Sequence, residues 1–372
     1  MNPKSTIFVG LDVDSKNFHA TLINRADGEI VSFRVPAKIA DLVKKLRPFQ
    51  KKGHELRICY EAGFHGFSIQ RDLVRAGFHC DVIAPSNIPR SPGQRVKTDR
   101  IDAQKLAELY MNSLLTVVHV PDEVVESDRD LIRARGFLQK QVRSNKQYIV
   151  MYCRKLGLNY KEFTGSKQYF TGEHLKWLRD RVATLENSSQ RSSLILLLKQ
   201  YQQTIDLVAD YDAELEKLAA DDRYRKKVAA LGCFRGISRV FALQLITEIG
   251  DVHRFRHPRQ LTSYAGLDII EYSSGGRERR YSITKTGNSQ IRTAAVEACQ
   301  SLNKTPRATK HLIARRKELG STPAQIAVAD RCMRRLYKKS TRLIMRSKHT
   351  NKVKVACARE MLGFVWEALK SA

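Results

Sequence analysis

The sequence predicts an α/β amino-terminal third followed by an all-α remainder, a long helical middle and then a mostly helical basic part. Between residues 6 and 84, five short apolar or alternating runs are separated by turn residues or by helix-period segments. Beyond residue 124 the apolar residues return every three or four positions instead. A third observation bears on partners. The 372 residues include 66 Lys and Arg against 38 Asp and Glu, a formal net charge of +28.

Residues 6–14 read as the first strand, with Ile7, Val9, Leu11 and Val13 pointing one way and Phe8, Gly10, Asp12 and Asp14 the other. Residues 18–23 and 30–35 are the second and third, joined by the turn chemistry of Asn24-Arg25-Ala26-Asp27-Gly28. Such short connections favour an antiparallel meander. Leu42, Val43 and Leu46 give residues 39–49 a helical period; a strand at 56–61 follows, then a helix at 67–76 closed by Gly77. The fifth strand, 79–84, stops at Pro85, and a helix opens near Asp99 with an apolar stripe through Ile101, Leu106, Leu109 and Tyr110. The order β-β-β-α-β-α-β-α is that of the RNase H-like fold. There the first and fourth strands are parallel neighbours and the last helix crosses them. Asp12, Glu61, Asp99 and Asp102 would then meet at one end of the sheet.

Asp99 and Asp102 sit three residues apart on one helix face and repel each other unless a cation lies between them; a divalent metal is the usual answer. Taken alone, an acidic first turn matched to the helix dipole explains that pair equally well. Asp12 lies in a strand expected to be buried on both faces, where an unpaired carboxylate is costly. Asp14 reads as a turn residue before Ser15, and Glu61 as a ligand at a strand end. Lys97 and Arg100 flank the acid pair and are candidates for phosphate contact.

The stretch 124–156 reads as a long helix rich in Arg, Lys and Gln, 157–172 as a loop, and 175–185 as a helix around Trp177. Leu194, Leu198, Tyr201, Ile205, Val208 and Leu215 then form an a/d seam that passes over Asp212. It suits either an arm joining two chains or a helix pair within one. A helix at 238–249 ends at Gly250, and Pro258 opens the next. The pair is similar to a helix-hairpin-helix, although Gly232-Cys233-Phe234-Arg235-Gly236 replaces the usual Pro-Gly-hydrophobic-Gly lead-in. Tyr272-Ser273-Ser274-Gly275-Gly276-Arg277-Glu278-Arg279-Arg280 lacks an apolar period and reads as an exposed, mobile loop. A serine held beside phosphate-binding cations could attack a phosphodiester, with activation from a metal or a cation because no histidine is near in sequence. Helices at 291–302, 324–345 and 353–369 complete the chain, and Arg331, Arg334, Arg335, Lys338, Lys339 and Arg342 cluster at helix spacing. The expected domains are 1–115, 116–227 and 228–372.

Residues 301–350 alone hold 14 Lys or Arg against Glu318 and Asp330, so a polyanion is the expected partner, nucleic acid before membrane. No apolar run reaches the ~18 residues of a membrane span. Residues 1–5 lead directly into the first strand with no signal-peptide core. The seven cysteines never form Cys-x-x-Cys, which argues for a reducing compartment and against zinc or a disulfide frame.

Gly10-Leu11-Asp12, Tyr60-Glu61-Ala62 and Lys97-Thr98-Asp99-Arg100-Ile101-Asp102-Ala103 resemble the RuvC-like DEDD domain of insertion-sequence transposases of the IS-one-ten type and of the related Piv-type DNA invertases. Tyr264-Ala265-Gly266-Leu267, the tyrosine and serine-glycine segment, and Ile283-Thr284-Lys285-Thr286-Gly287-Asn288 resemble the carboxy-terminal domain of the same family. The resemblance implies Asp12, Glu61, Asp99 and Asp102 holding two Mg²⁺ ions, and Ser274 as nucleophile, with Ser273 one residue away. It implies nucleic-acid contacts from Lys97, Arg100, Arg277, Arg279, Arg280, Lys285, Arg292, Arg334, Arg335, Lys338 and Lys339. It also implies partners: element ends and target DNA, a bridge RNA made by the element, and other copies of the chain in a dimer or tetramer whose site joins two subunits. A prokaryotic cytoplasm, with the protein at the nucleoid, is the expected setting. The alternatives are a metal-dependent, junction-resolvase-like nuclease that attacks with water, and a basic nucleic-acid-binding protein without chemistry.

Overall fold

The computed structural model describes residues 5–89, 98–165, 168–274, 277–302 and 304–372. Lys97 lies outside the described residues. The chain divides into two compact units, Met1–Pro121 and Asp122–Ala372.

The first unit runs β1 (Thr6–Val13), β2 (Asn17–Asn24), β3 (Ile30–Pro36), α1 (Ile39–Lys51), β4 (Glu55–Glu61), α2 (Ser68–Arg75), β5 (His79–Ile83) and α3 (Asp99–Met111). The sheet order is β3-β2-β1-β4-β5. Tight turns make β1, β2 and β3 antiparallel, whereas α1 and α2 carry the chain back so that β4 and β5 lie parallel to β1. Ile7, Val9, Leu11, Ile58 and Tyr60 pack with Leu42, Leu46 and Leu73 on one side of the sheet. The opposite face belongs to α3, and Gly10 lets it come close. A Cβ there would lie 2.5 Å from the Ala107 amide nitrogen and closer still to the Ala103 carbonyl oxygen. Thr98 caps α3 by accepting a hydrogen bond from the Ile101 amide at 3.3 Å.

The second unit begins with α4 (Glu123–Lys155), α5 (Tyr160–Thr164), α6 (Gly172–Thr184) and α7 (Ser188–Ala220). Arg135 bonds Asp212, Asn145 meets Thr204 and Tyr152 reaches Gln190, so α4 and α7 run antiparallel within one chain. The a/d seam closes here: Leu194, Tyr201 and Val208 are buried against Val142, Ile149 and Cys153. Asp212, the polar step in that seam, takes two hydrogen bonds from Arg135 at 2.6 and 3.2 Å.

The chain continues through α8 (Asp222–Gly232), α9 (Arg239–Ile249), α10 (Pro258–Tyr264), β6 (Ile269–Ser274), β7 (Arg277–Ile283), α11 (Ser289–Ala298), α12 (Lys310–Glu318), α13 (Pro323–Met345) and α14 (Thr350–Lys370). Val353, Cys357, Met361, Leu362, Val365 and Leu369 bury α14 among α8, α10, α11 and α13. Glu248, 1% exposed, accepts from Arg133 Nε at 2.8 Å and Nη2 at 2.9 Å and from Asn288 Nδ2 at 2.8 Å. Three donors compensate this buried carboxylate and tie α4, α9 and the start of α11 together. Among the described residues no helix is long and apolar enough to cross a membrane.

Candidate active site and nucleic-acid face

Strand pairing determines which face the acids share. Asp12 lies directly across from His19 in the β1–β2 hairpin. β1 and β4 are parallel with Leu11 level with Tyr60, so Asp12 and Glu61 follow on neighbouring strands at the same sheet edge. By strand alternation Asp12 shares its face with Gly10, and Glu61 with Cys59. Both of those partners touch α3: Gly10 meets the backbone at Ala103 and Ala107, and Cys59 Sγ lies 3.8 Å from the Leu106 carbonyl oxygen.

The direction of α3 follows from its contacts. Its last turn sets Tyr110 edge-on to Phe8, with centroids 5.5 Å apart. Its first turn sets Asp99 Oδ2 3.4 Å from His19 Nε2. Contacts therefore step from Phe8 through Gly10 to the level of Asp12 as the helix runs backward. This brings Asp99 and Asp102 to the carboxyl end of β1. The first turn is also where the helix dipole favours negative charge.

Asp12 and Asp102 are half-buried, whereas Glu61 and Asp99 are exposed. The expectation that Asp12 is buried on both faces is corrected, because β1 ends one residue later and Asp12 sits at the sheet's rim. Among the described residues, no three His, Cys, Asp or Glu side chains stand close enough to hold one metal ion. The four acids thus share an edge without closing on a point. By chemistry alone, four carboxylates are a donor set for a hard divalent cation. Asp14 turns the chain: its carboxylate accepts from the Lys16 amide at 3.4 Å, and the Ser15 and Lys16 amides hold its pKa below the usual range.

His19 is a site residue that the sequence reading missed. The hairpin register would have found it, since it faces Asp12 once the turn at 14–17 is recognised. With Thr21, Ser32, Arg34 and Arg100 it lines a groove of about 340 Å³ beside Asp99. Arg100 is exposed in the first turn of α3.

Of the serine-glycine segment expected as a loop, residues 272–274 and 277–280 lie instead on the two strands of a ribbon, with Tyr272 across from Arg279 and Ser274 across from Arg277, while Gly275 and Gly276 lie outside the described residues. For Ser273, Ser274, Arg277 and Arg280 the structure describes the backbone. The physical reason lies in cross-strand pairs: Ile269 meets Ile283, and the Tyr272 and Tyr281 rings contact each other 5.7 Å apart. At the ribbon's base, Arg292 Nη1 donates to the carbonyls of Ala265 (2.8 Å) and Lys285 (3.3 Å). Gly266 (φ 63°) and Gly287 (φ 134°) pass close to each other here, and added Cβ atoms would strike neighbouring backbone. Half-buried Arg292 therefore clamps the Ala-Gly-Leu turn to the Lys-Thr-Gly turn, and desolvation lowers its pKa. Lys285 and Arg279 are exposed.

The basic face of α13 splits in two. Arg331 pairs with Glu367, while Arg335 and Lys339 pair with Glu360, both acids standing on α14. Arg334, Lys338 and Arg342 are exposed and make no ion pair among the described residues.

An α/β unit with an acidic sheet rim, followed by a strongly basic helical unit, is the frame of a protein that works on nucleic acid. Residues 9–152 match a transposase family of the IS110 DEDD type, and residues 229–313 match the family described as Transposase IS116/IS110/IS902. The chain is 34% identical over 367 residues to the y4qE protein of Sinorhizobium fredii, a transposase by name; the match spans 98% of this chain and 89% of that protein. It is 25% identical over 341 residues to the transposase for insertion sequence element IS1533 of Leptospira borgpetersenii, covering 90% and 96% of the two chains. With the transposase for IS1111A of Coxiella burnetii it shares 24% over 266 residues, 70% and 71% of the two. The chain belongs to the IS116/IS110/IS902 family of insertion-sequence transposases. Its activity is therefore DNA transposition, the cutting and rejoining of DNA strands.

Proposed function

We propose that the chain cuts and rejoins DNA with the rim acids of the first unit and a serine of the ribbon as its chemical groups. The single observation that carries this reading is the α3 contact set, in which Gly10 admits the helix and Asp99 reaches the His19–Asp12 pair. In this reading the first unit is RNase H-like of the RuvC type. Asp12, Glu61, Asp99 and Asp102 would hold divalent cations, Mg²⁺ by donor hardness. When bound, such ions neutralise charge on the scissile phosphate and its leaving oxygen.

The other steps fall to the chain's own residues. Ser274 Oγ bonds to phosphorus as the bond to the leaving deoxyribose oxygen breaks. The serine proton passes to solvent water, and the leaving oxygen takes a proton from solvent water. The phosphoserine linkage keeps the phosphodiester's bond energy, so rejoining by the reverse attack needs no external source. Arg277, Arg279 and Arg280 are the candidate phosphate contacts on the serine's ribbon, Lys285 is one at its base, and Arg292 supports that base. Lys97 and Arg100 take the same role beside the acids, with Arg334 and Lys338 on α13, where Glu360 already engages Arg335 and Lys339. The reading extends to an element-encoded bridge RNA, compatible with the +28 surplus, and to a dimer or tetramer acting in a prokaryotic cytoplasm.

The test is covalent trapping. Incubating the protein with element-end DNA, digesting it and sequencing the linked peptide should place the nucleotide on Ser274, and Ser274→Ala should abolish both adduct and rejoining. If Ser274→Ala still cleaves without forming an adduct, water is the attacker and the nuclease alternative holds. A linkage on Ser273 would move the nucleophile by one residue.

A further inference from the structure

Two tyrosines on the ribbon have no part in that chemistry. Tyr272 and Tyr281 are 69% and 56% exposed, yet their rings hold an edge-to-face pair with planes at 78°. The ribbon's anchoring to the core is at Ile283, at its base. Strand alternation puts positions 272, 274, 277 and 279 on one face and 271, 273, 278 and 280 on the other, and the ring contact adds 281 to the first face across a register shift. The tyrosine face thus carries two arginine positions, Arg277 and Arg279, and no acid. Both acidic positions of the strands, 271 and 278, fall on the opposite face. Charge and aromatic surface are segregated together.

An edge-to-face pair uses one ring face of the four, leaving the others open to a flat partner. Flat, apolar on its face and tied to negative charge describes a nucleobase on its phosphate backbone. Bases inside a duplex cannot offer that face; unpaired or unstacked bases can. We propose that Tyr272 and Tyr281 form a stacking platform for unpaired DNA bases, with the neighbouring arginines holding the backbone. This rests on the family's action on DNA and not on which group attacks phosphorus. Tyr272 and Ser274 are two residues apart on one strand. A base held on the tyrosines would keep the DNA strand from sliding along β6.

The full-length protein is titrated into a short single-stranded oligonucleotide with one 2-aminopurine, into the matching duplex, and into single-stranded RNA of the same sequence. Stacking on tyrosine should quench the 2-aminopurine. Tyr272→Ala or Tyr281→Ala should weaken single-strand binding about five- to a hundredfold and abolish the quench. Duplex affinity should change far less, because phosphate contacts carry it. Tyr272→Phe and Tyr281→Phe should retain binding and quench, whereas Tyr272→Leu should not. The proposal is overturned if leucine serves as well as phenylalanine, or if single-strand and duplex binding fall equally. It is also overturned if the alanine variants lose self-association with single-strand binding intact, which would make a second copy the occupant. Tighter binding of the RNA with the same tyrosine dependence would reassign the platform to RNA.

Discussion

The approach of α3 to β1 at Gly10 invites a direct perturbation. In Gly10→Ala the new Cβ would stand 2.5 Å from the Ala107 amide nitrogen, whereas ordinary contact begins near 3.4 Å. The helix must retreat by roughly 1 Å, because the obstruction is backbone and cannot rotate away. Overpacking of this kind costs about 1–3 kcal/mol, a fall of about 4–12 °C in the melting temperature of a unit this size. The catalytic cost should be larger, since a misplacement of about 1 Å is worth on the order of 100-fold in rate. Gly53→Ala is the control. It lies in the same unit at φ 93° with nothing within 4 Å of its Cβ, so it strains the backbone without moving α3. Thermal melts and cleavage of element-end DNA should show both variants destabilised and only Gly10→Ala losing cleavage out of proportion. If the two lose activity in step with their melting temperatures, or Gly10→Ala cleaves like the parent, the positioning argument fails.

Two other outcomes follow from the second unit. Arg334→Ala, Lys338→Ala and Arg342→Ala together should lower the slope of log affinity against log salt by about 0.9 for each phosphate no longer neutralised. Replacing Arg331, Arg335 and Lys339 should leave that slope largely unchanged, because Glu360 and Glu367 already engage those cations. His174, packed on Trp177 and Tyr160 and accepting from the Phe170 amide, has its pKa pushed down to about 4 by burial. The folded chain then binds fewer protons than the unfolded chain between about pH 4 and 6.5, so stability falls as pH drops through that window. Trp177 fluorescence in a Trp366→Phe background should report the loss, and His174→Phe should flatten it; an unchanged profile in that variant would exclude His174 as the cause.

Much of the first unit is legible in the sequence because local signals agree with tertiary demands. Turn residues at 24–28 make a hairpin, Thr98 caps the helix that opens with Asp99, and alternation puts Asp12 opposite the apolar face of β1. Position along the strand is harder to judge than the strand itself, so Asp12 is expected inside and lies at the rim. His19 escapes notice because its importance exists only in register. The ribbon reads as a loop because serine and glycine dominate the sequence at 273–276, while the contacts that hold it link Ile269 to Ile283 and Tyr272 to Tyr281 across strands. The α13 face has the right cations, but half are ion-paired with two acids more than twenty residues away on α14. Arg292 likewise carries a positive charge that is aimed at carbonyl groups.

The central claim is the proposal that Asp12, Glu61, Asp99 and Asp102 together bind the divalent cations used in DNA cleavage. Its most direct test is a Mn²⁺ titration followed by electron paramagnetic resonance, on the parent protein and on Asp12→Asn, Glu61→Gln, Asp99→Asn and Asp102→Asn with element-end DNA present. The account predicts that each substitution weakens the same bound-Mn²⁺ signal and that cleavage falls with it. Four variants that keep parental Mn²⁺ binding and parental cleavage would contradict it.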